Sequence, residues 1–249
     1  MTDDDIIHPP HDGLHYQDVL SALSKKRSVQ RYLEIGVCGG QTFAKISCET
    51  AIAIDPYFLL NTNVMFGKKQ AFFFQMESDS FFRTTDANRY LGGAPDLVFL
   101  DGMHVFEYLL RDFHNVEKIC AKHTLIAIHD CLPLTRTMAN RSEEITREMS
   151  KGSFYENWWT GDVWKLVPII KKYRPDLRIV AVNAPPTGLV FITNLDTQSQ
   201  VLSDKYLDIV GEFMGESSSK ALDSFYETIE IVTTEAILNH FDHSLYFRS

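Results

Sequence analysis

An apolar strand, a glycine bend and the start of a helix follow one another near the beginning of the chain, and this succession restricts the fold more than any other feature. The apolar run 32–35 ends at Gly36, and a loop with Gly39 and Gly40 leads into a helical pattern. Glycine lets bare backbone approach a nucleotide-like ligand at the start of a helix. The stretch therefore predicts a strand–loop–helix unit with a ligand at its bend.

The glycine spacing departs from that of a dinucleotide-binding turn. A pyrophosphate site requires a second glycine two residues after the first, and Cys38 occupies that position. Glu34 precedes the bend, and we expect its carboxylate to face the ligand, where it would repel a pyrophosphate and attract an ammonium or a sulfonium. Asp55 ends the next strand, about twenty residues after Gly36, at the usual position of an acid that binds ribose hydroxyls. Ribose recognition without a pyrophosphate indicates S-adenosylmethionine.

Composition narrows the class of partner. The chain has 249 residues, of which 45% are hydrophobic, enough for one α/β domain with additions. A net charge of -9 argues against nucleic acid as a partner, because phosphate backbones require a basic groove. The basic cluster 25–27 is expected to be a solvated helix end.

The cysteines and the N-terminus predict a cytoplasmic protein with no membrane partner. The four cysteines form no C-x-x-C pair, which is typical of reduced thiols. The acidic segment 1–10 lacks the basic flank and apolar core of a signal peptide. No apolar run is long enough to cross a membrane.

Alternating strand and helix patterns predict the fold class. Five apolar strands separated by helical patterns indicate a parallel sheet with helices on both faces, and two closing strands joined by a short connection indicate an antiparallel pair. We predict an α/β, Rossmann-like, seven-stranded, mostly parallel sheet with an N-terminal helix and a C-terminal helical extension. The predicted divisions are an N-terminal segment and helix (1–29), the main domain (30–195) and the extension (196–249).

Several local expectations follow from the same patterns. The strand 71–75 is expected to be buried on both faces because its apolarity is unbroken. Helices are predicted over 104–120 and 135–149, and two more around 200–214 and 219–240 with a turn at 217–219. The apolar segment 56–69 is expected to cover the cofactor, contact a second subunit or lie buried under a helix. Three tryptophans form either a lid that receives a sugar ring or part of the core, namely Trp158, Trp159 and Trp164.

A second group of polar residues falls at the ends of the fourth and fifth predicted strands. Asp101 and His104 follow one strand, and His129 and Asp130 end the next. Because ligands in such sheets bind outside the carboxyl ends of the strands, these side chains are expected to converge. Carboxylates and imidazoles together suggest a divalent metal, which would lower the pKa of an acceptor hydroxyl before a base removes its proton.

These two groups of residues carry a resemblance to class I S-adenosylmethionine-dependent methyltransferases. The acid before the glycine bend resembles their first motif. The run Asp101-Gly-x-His104, followed by Arg111-Asp112 and then His129-Asp130, resembles the family that includes metal-dependent O-methyltransferases of macrolide sugars and related natural products. The likeness covers roughly residues 30–195.

The resemblance implies roles for individual residues. Asp101 and Asp130 would be metal ligands and His104 the general base, with Asp101 also counted as catalytic. Members with a proven metal usually carry a carboxylate where this chain has His129, so the metal, Mg²⁺ or Mn²⁺, would shift toward ions that accept imidazole. The predicted metal ligands are Asp101, His129 and Asp130. The predicted cofactor-binding residues are Glu34, Gly36, Gly39, Gly40, Thr42, Asp55, Ser78, Asp79 and Asp101.

Other interpretations of the same residues stay open at this point. Asp79 could contact an adenine or cap the helix that follows it. Asp101 and Asp130 could also be simple capping acids. The function expected is O-methylation of a small hydroxylated metabolite or sugar, and the alternatives are a nicotinamide-dependent oxidoreductase or a non-catalytic cofactor-binding protein. The number of subunits, including a homo-oligomer, is left open.

Overall fold

The fold is built around one twisted sheet, described here from a computed structural model that covers residues 5–215, 219–239 and 246–247. The sheet has eight strands in the order β3-β2-β1-β4-β5-β7-β6-β8, and β7 pairs antiparallel with both β5 and β6. The strands are β1 (Arg31–Ile35), β2 (Cys48–Ile54), β3 (Lys68–Phe74), β4 (Leu97–Leu100), β5 (Leu125–His129), β6 (Arg178–Val182), β7 (Leu189–Thr193) and β8 (Ile231–Val232).

Helices cover both faces of this sheet. They are α1 (Tyr16–Lys26), α2 (Gln41–Lys45), α3 (Ser78–Thr84), α4 (Ala87–Leu91), α5 (Phe106–Ile119), α6 (Glu143–Ser150), α7 (Leu166–Tyr173), α8 (Val201–Asp204), α9 (Tyr206–Met214), α10 (Ser219–Thr228) and α11 (Thr234–Asn239), with a short 3₁₀ turn over Val163–Lys165. The predicted Rossmann-like class is confirmed, including the antiparallel closing pair.

The central strands are apolar on both faces because each face meets a separate layer of helices. Leu33 and Ile35 belong to the core on the α5 side, and Tyr32 belongs to the core on the α1 side. Alternate side chains of a strand point to opposite faces. Because Leu33 is fully buried, truncating it to alanine would cost about 2–5 kcal/mol.

Two local expectations are wrong. β3 is the edge strand of the sheet, so its residues are only partly covered and Phe73 remains 37% exposed. The helix expected over 135–149 begins only at Glu143, where Ser142 caps it by accepting a hydrogen bond from the backbone N–H of Ile145. Residues 136–139 before it form a turn, in which Met138 is buried.

The C-terminal extension also differs in detail. The helical pattern expected over 219–240 is interrupted by β8, whose Ile231 and Val232 add an eighth strand parallel to β6. Backbone pairing with β6 outweighs helical propensity at this point, because tertiary context overrides weak local preference. Of the turn predicted at 217–219, residues 217 and 218 lie outside the described residues. The division of the chain at residues 29 and 195 stays a prediction.

Candidate active site

The carboxyl ends of β1, β2, β4 and β5 open onto one cleft of about 770 Å³. Parallel strands end at the same edge of a sheet, so polar residues that are distant in sequence meet there. Five of the nine predicted cofactor-binding residues line this cleft: Gly36, Asp55, Ser78, Asp79 and Asp101. The other four, Glu34, Gly39, Gly40 and Thr42, do not line it.

Gly36 lies where the end of β1 approaches the end of β4. Its φ is +85°, and a Cβ at this position would stand 1.9 Å from the carbonyl oxygen of Asp101. Only glycine therefore permits the backbones of the two strands to come this close. The bend brings the glycine loop and Asp101 to the same side of the cleft.

Gly39 and Gly40 contact protein. The segment 59–64, which we call the loop cover, lies on them: the N–H of Leu59 donates to the carbonyl of Cys38 and that of Asn61 to the carbonyl of Gly39, at 2.9 and 3.2 Å. A Cβ at Gly40 would stand 2.6 Å from a methyl group of Val64. Other atoms of the chain therefore occupy the space beside both glycines, and their assignment to the cofactor stays a prediction.

Glu34 also departs from its expected position. Its side chain shares a face of β1 with Tyr32, whose hydroxyl donates to the carboxyl group at 2.6 Å, and it is only 1% exposed. Burial raises the pKa of Glu34 well above its ordinary value, and nearby Asp101 raises it further. Glu34 is buried and does not line the cleft, so the structure does not place its carboxyl group against a ligand, and its assignment to the cofactor stays a prediction.

The side chain of Thr42 is turned toward α1. Its hydroxyl oxygen accepts a hydrogen bond from the side chain of Gln17 at 3.4 Å and lies 3.5 Å from the hydroxyl of Tyr16. These contacts point it toward α1, and Thr42 does not line the cleft, so its assignment to the cofactor stays a prediction.

Asp55 holds the two loops that form one wall of the cleft. Its carboxylate accepts the N–H of Cys38 at 2.8 Å and the N–H of Tyr57 at 2.7 Å. Each carboxylate oxygen can accept more than one hydrogen bond. Asp55 therefore combines a structural role with the capacity to receive the two hydroxyls of a ribose.

The cleft is also lined by Ser78, Asp79 and a residue that sequence reasoning did not assign, Asp112. Asp79 forms an ion pair with Arg111, whose Nε lies 2.8 Å from a carboxylate oxygen. Asp112 lines the cleft and is 4% exposed. Burial raises its pKa to about 7, against the hydrogen bond from Ser78, which lowers it. The available signal was an acid placed between Leu109 and Phe113 on the apolar face of α5.

The predicted polar cluster is brought together as expected. Nδ1 of His129 lies 3.2 Å from Oδ1 of Asp101 and 3.4 Å from Oδ2 of Asp130. Nε2 of His104 lies 3.2 Å from the same oxygen of Asp130 and 3.9 Å from Oδ1 of Asp101. All four residues line the cleft.

His129 is the most enclosed member of this cluster. Its ring stacks on Tyr16 with centroids 4.0 Å apart, and Nε2 lies 3.3 Å from the hydroxyl of Thr187, which in turn donates to Asp130. Burial alone would lower the pKa of His129, but the carboxylates of Asp130 and Asp101 outweigh it and raise the pKa well above its usual value. For Asp130 burial alone would raise the pKa, but the neighbouring His129 and His104 outweigh burial and hold this pKa well below its ordinary range.

The tryptophans separate into different environments. Trp164 is 4% exposed and packs in the core against Phe225. Trp158 packs beside Tyr155 with centroids 5.6 Å apart. Only Trp159 reaches the polar cluster, where its ring lies 5.1 Å from that of His104. The core interpretation therefore applies to Trp164.

The donor set fits a divalent metal ion. One ligand atom from each of Asp101, His104 and Asp130 lies within 4.8 Å of the others, and Nε2 of His104 lies 3.9 and 3.2 Å from one oxygen of each carboxylate, a spacing that neighbouring ligands of one ion can take. Two carboxylates with an imidazole suit ions that accept nitrogen ligands better than they suit Mg²⁺.

The apolar segment after β2 has a mixed role. Tyr57 and Leu59 line the cleft, while Tyr57 and Phe66 are each 67% exposed.

The four cysteines are free, as predicted. Among the described residues, no helix is both long and apolar enough to cross a lipid bilayer.

This chain is similar to known proteins in its three-dimensional structure. Neither a protein-family model nor a curated protein sequence matches this chain. A cofactor-bound structure of Rv0187 from MTB is similar with 14% identity and a TM-score of 0.52, over 74% of this chain and 82% of that chain. At this identity the likeness concerns the fold alone.

Two further solved structures are similar at lower scores. One is the O-methyltransferase from Bacillus cereus in complex with SAH, with 13% identity, a TM-score of 0.46 and coverage of 76% of this chain and 84% of that chain. The other is the O-methyltransferase TomG from Streptomyces achromogenes in complex with SAM, with 13% identity, a TM-score of 0.45 and coverage of 72% and 79%. The strand order, with an antiparallel β7 beside β5, is that of the class I methyltransferase fold.

Proposed function

We propose that this protein is an S-adenosylmethionine-dependent methyltransferase that methylates a hydroxyl group of a small acceptor, in the cytoplasm. The observation that carries the proposal is a single cleft with two chemistries. Asp55 at the end of β2 lies on one side, and Asp130 at the end of β5 lies on the other with His104; Gly36 and Asp101, at the ends of β1 and β4, lie between them. A donor bound on the first side would present its methyl group to an acceptor held on the second.

The loop cover supports an adenosyl donor over a dinucleotide. A diphosphate binds to free N–H groups at a glycine bend and helix start. Here Leu60 and Val64 stand against the position of Gly40, the N-cap of α2. A donor without phosphates does not need this surface. It needs the ribose acceptor Asp55 and the wall at Ser78 and Asp79, which remain accessible from the cleft.

Methyl transfer requires that the acceptor oxygen lose its proton as it attacks. Nε2 of His104 would take the proton from the acceptor hydroxyl, and the oxygen would form a bond to the methyl carbon. The bond from that carbon to sulfur breaks, and its electron pair stays on sulfur to give S-adenosylhomocysteine. Asp130, 3.2 Å from Nε2, would accept a hydrogen bond from the imidazolium that forms. General-base assistance of this kind contributes about 10²–10⁴-fold in rate.

A divalent metal is compatible with the same cluster. Asp101 and Asp130 would hold it together with Nδ1 of His129, which lies 3.2 and 3.4 Å from their oxygens, and Nε2 of His104 would then stay free to act as the base. A bound ion would supply Lewis acidity toward the acceptor oxygens. Titration calorimetry with MnCl₂ on His104→Ala and His129→Ala would decide which imidazole is the ligand, because only loss of the true ligand weakens Mn²⁺ binding.

Calorimetric titration with S-adenosylmethionine, S-adenosylhomocysteine and NADH tests the proposal directly. We expect saturable binding of the two adenosyl compounds and none of NADH. Binding of NADH alone would overturn the proposal in favour of an oxidoreductase. Binding of S-adenosylmethionine without methyl transfer to any of a broad panel of hydroxylated metabolites and sugars would favour the non-catalytic alternative.

A further inference from the structure

His104 belongs to neither β4 nor α5, so its ring must be held by contacts from elsewhere in the chain. We propose that the segment 159–162 positions the imidazole of His104, through the carbonyl of Trp159 and the close approach of Gly161, so that Nε2 is its reactive nitrogen. This inference deepens the proposed function and rests on it, because it concerns the group assigned there as the base.

The first observation is a hydrogen bond to the other ring nitrogen. Nδ1 of His104 lies 2.8 Å from the backbone carbonyl oxygen of Trp159. A carbonyl oxygen only accepts, so Nδ1 must carry the proton in this contact. In the neutral ring Nε2 then has the free lone pair, and it is Nε2 that faces Asp130 in the cleft. The hydrogen bond thus selects the tautomer as well as the orientation of the ring.

The second observation is the close approach at Gly161. Its φ is +60°, and a Cβ at this position would stand 1.7 Å from the carbonyl oxygen of His104 and 2.9 Å from its Cβ. Any side chain here would push the segment away from His104. The loss of the short contact to Trp159 would follow, because the two residues are joined by a single intervening residue.

The third observation is that Asp162 fastens the segment to the start of α5. Its Oδ1 accepts the N–H of Phe106 at 3.0 Å, two residues after His104. Its Oδ2 accepts hydrogen bonds from Arg141 at 2.9 Å and from Lys165 at 3.2 Å. A buried carboxylate with these partners is a fixed point, so the segment cannot shift along the helix without breaking charge-assisted hydrogen bonds.

Trp159 is fixed from its other side as well. Its indole N–H donates to the carbonyl of Asn140 at 2.7 Å. Neither Trp159, Gly161 nor Asp162 lines the cleft, so none of them is expected to touch the donor or the acceptor. They are positioning residues, and a substitution among them should leave binding of the adenosyl compound intact.

The tautomer can be measured in the unsubstituted protein by long-range ¹H–¹⁵N correlation NMR of histidine-labelled samples, with His104→Gln to assign the signals. In the range where the ring is neutral, we expect His104 to show a protonated Nδ1 and an unprotonated Nε2. A proton on Nε2, or an averaged mixture of the two tautomers, would overturn the proposal. This measurement needs no acceptor and no bound donor.

Gly161→Ala and Gly152→Ala form a matched pair of variants. Both glycines have a positive φ, +60° and +74°, but a Cβ at Gly152 would meet nothing within 4 Å. Both variants should melt at lower temperature, and only Gly161→Ala should lose the single-tautomer signal of His104. Both should bind S-adenosylhomocysteine as the parent does.

Two results of this pair would count against the positioning role. One is a Gly161→Ala protein that keeps the single-tautomer signal, and the other is a Gly152→Ala protein that loses it as well. If Gly161→Ala does not fold, the tautomer of the parent protein decides the matter. Failure of the parent to bind S-adenosylhomocysteine would instead refute the proposed function and leave the tautomer result standing.

Discussion

The glycine bend after β1 and the polar cluster after β4 and β5 look alike in sequence, since each places distinctive residues at strand ends, but they differ in what they face. Gly40 faces the loop cover, the carbonyl of Gly39 accepts a hydrogen bond from it, and Glu34 faces Tyr32. The members of the polar cluster face the cleft and one another. A residue that matches a binding motif in sequence can therefore contact a ligand only where its side chain is accessible from the cleft.

The largest expected effect is at the polar cluster. His104→Ala removes the proposed base, so methyl transfer should fall by about 10²–10⁴-fold while affinity for S-adenosylmethionine is retained. Transfer of label from methyl-labelled donor to an acceptor panel measures the first quantity, and calorimetry measures the second. The matched control is His123→Ala, an exposed histidine at the opposite end of the sheet. Unchanged transfer would remove His104 from the mechanism.

Glu34→Gln tests whether the acid at the bend is neutral. A carboxyl group whose pKa is raised by folding binds its proton more tightly in the folded state. Its contribution to stability is therefore fully present below the ordinary glutamate pKa and is lost as the pH rises above that value. Stability of the parent should therefore fall as pH rises above the ordinary glutamate pKa, and the variant should lack this loss.

The measurement is urea unfolding of both proteins at pH 5 and pH 7. The free energy of unfolding of the variant, relative to the parent, should rise by up to about 1.4 kcal/mol per pH unit over this interval. Glu49→Gln, at an exposed position in β2, is the control and should show no such trend. A flat difference for Glu34→Gln would mean that this carboxyl group is ionised in the fold.

Asp55→Asn sharpens the contrast within the bend region, because Asp55 is the acid there that does line the cleft. Loss of the carboxylate should weaken binding of S-adenosylmethionine by about 1.5–3 kcal/mol, the range for hydrogen bonds to a charged group. Calorimetry is the measurement. Asp86→Asn, at the N-cap of α4 and outside the cleft, should leave affinity unchanged. Equal affinities for Asp55→Asn and the parent would refute the assignment to ribose.

The last prediction concerns the packing of Gly40. Gly40→Ala and Gly92→Ala both place alanine at a positive φ, +84° and +73°, and only the first meets other atoms. Both should lose about 1–2 kcal/mol of stability to the backbone conformation, and Gly40→Ala should lose roughly 1–3 kcal/mol more to overpacking against Val64. Urea unfolding measures this difference.

Affinity for the donor separates packing from ligand binding in the same pair. We expect Gly40→Ala to bind S-adenosylhomocysteine as the parent does, because Gly40 does not line the cleft. A large loss of affinity with little loss of stability would return Gly40 to the cofactor site and would break the comparison between the two regions.

Much of the site was accessible from sequence because strand ends are set by local patterns. Asp55, Asp101, His104, His129 and Asp130 were found from the order of strands and the rule that ligands bind at their carboxyl ends. The departures share a cause. Whether a residue at a strand end faces the cleft depends on the register of the strand and on distant chain, as Glu34 and the loop cover show.

The sequence by itself determined the order of the strands and helices, the mostly parallel sheet and the edge of the sheet that carries the polar residues, because period, apolar runs and glycine bends are local properties. The tertiary structure alone decided that Glu34 is buried beside Tyr32, that Asp112 reaches the cleft and that a carbonyl at Trp159 holds His104. These contacts join residues from different elements, and the sequence does not indicate which side chain a given backbone carbonyl will contact. Their formation depends on packing of the whole chain, which no local pattern specifies.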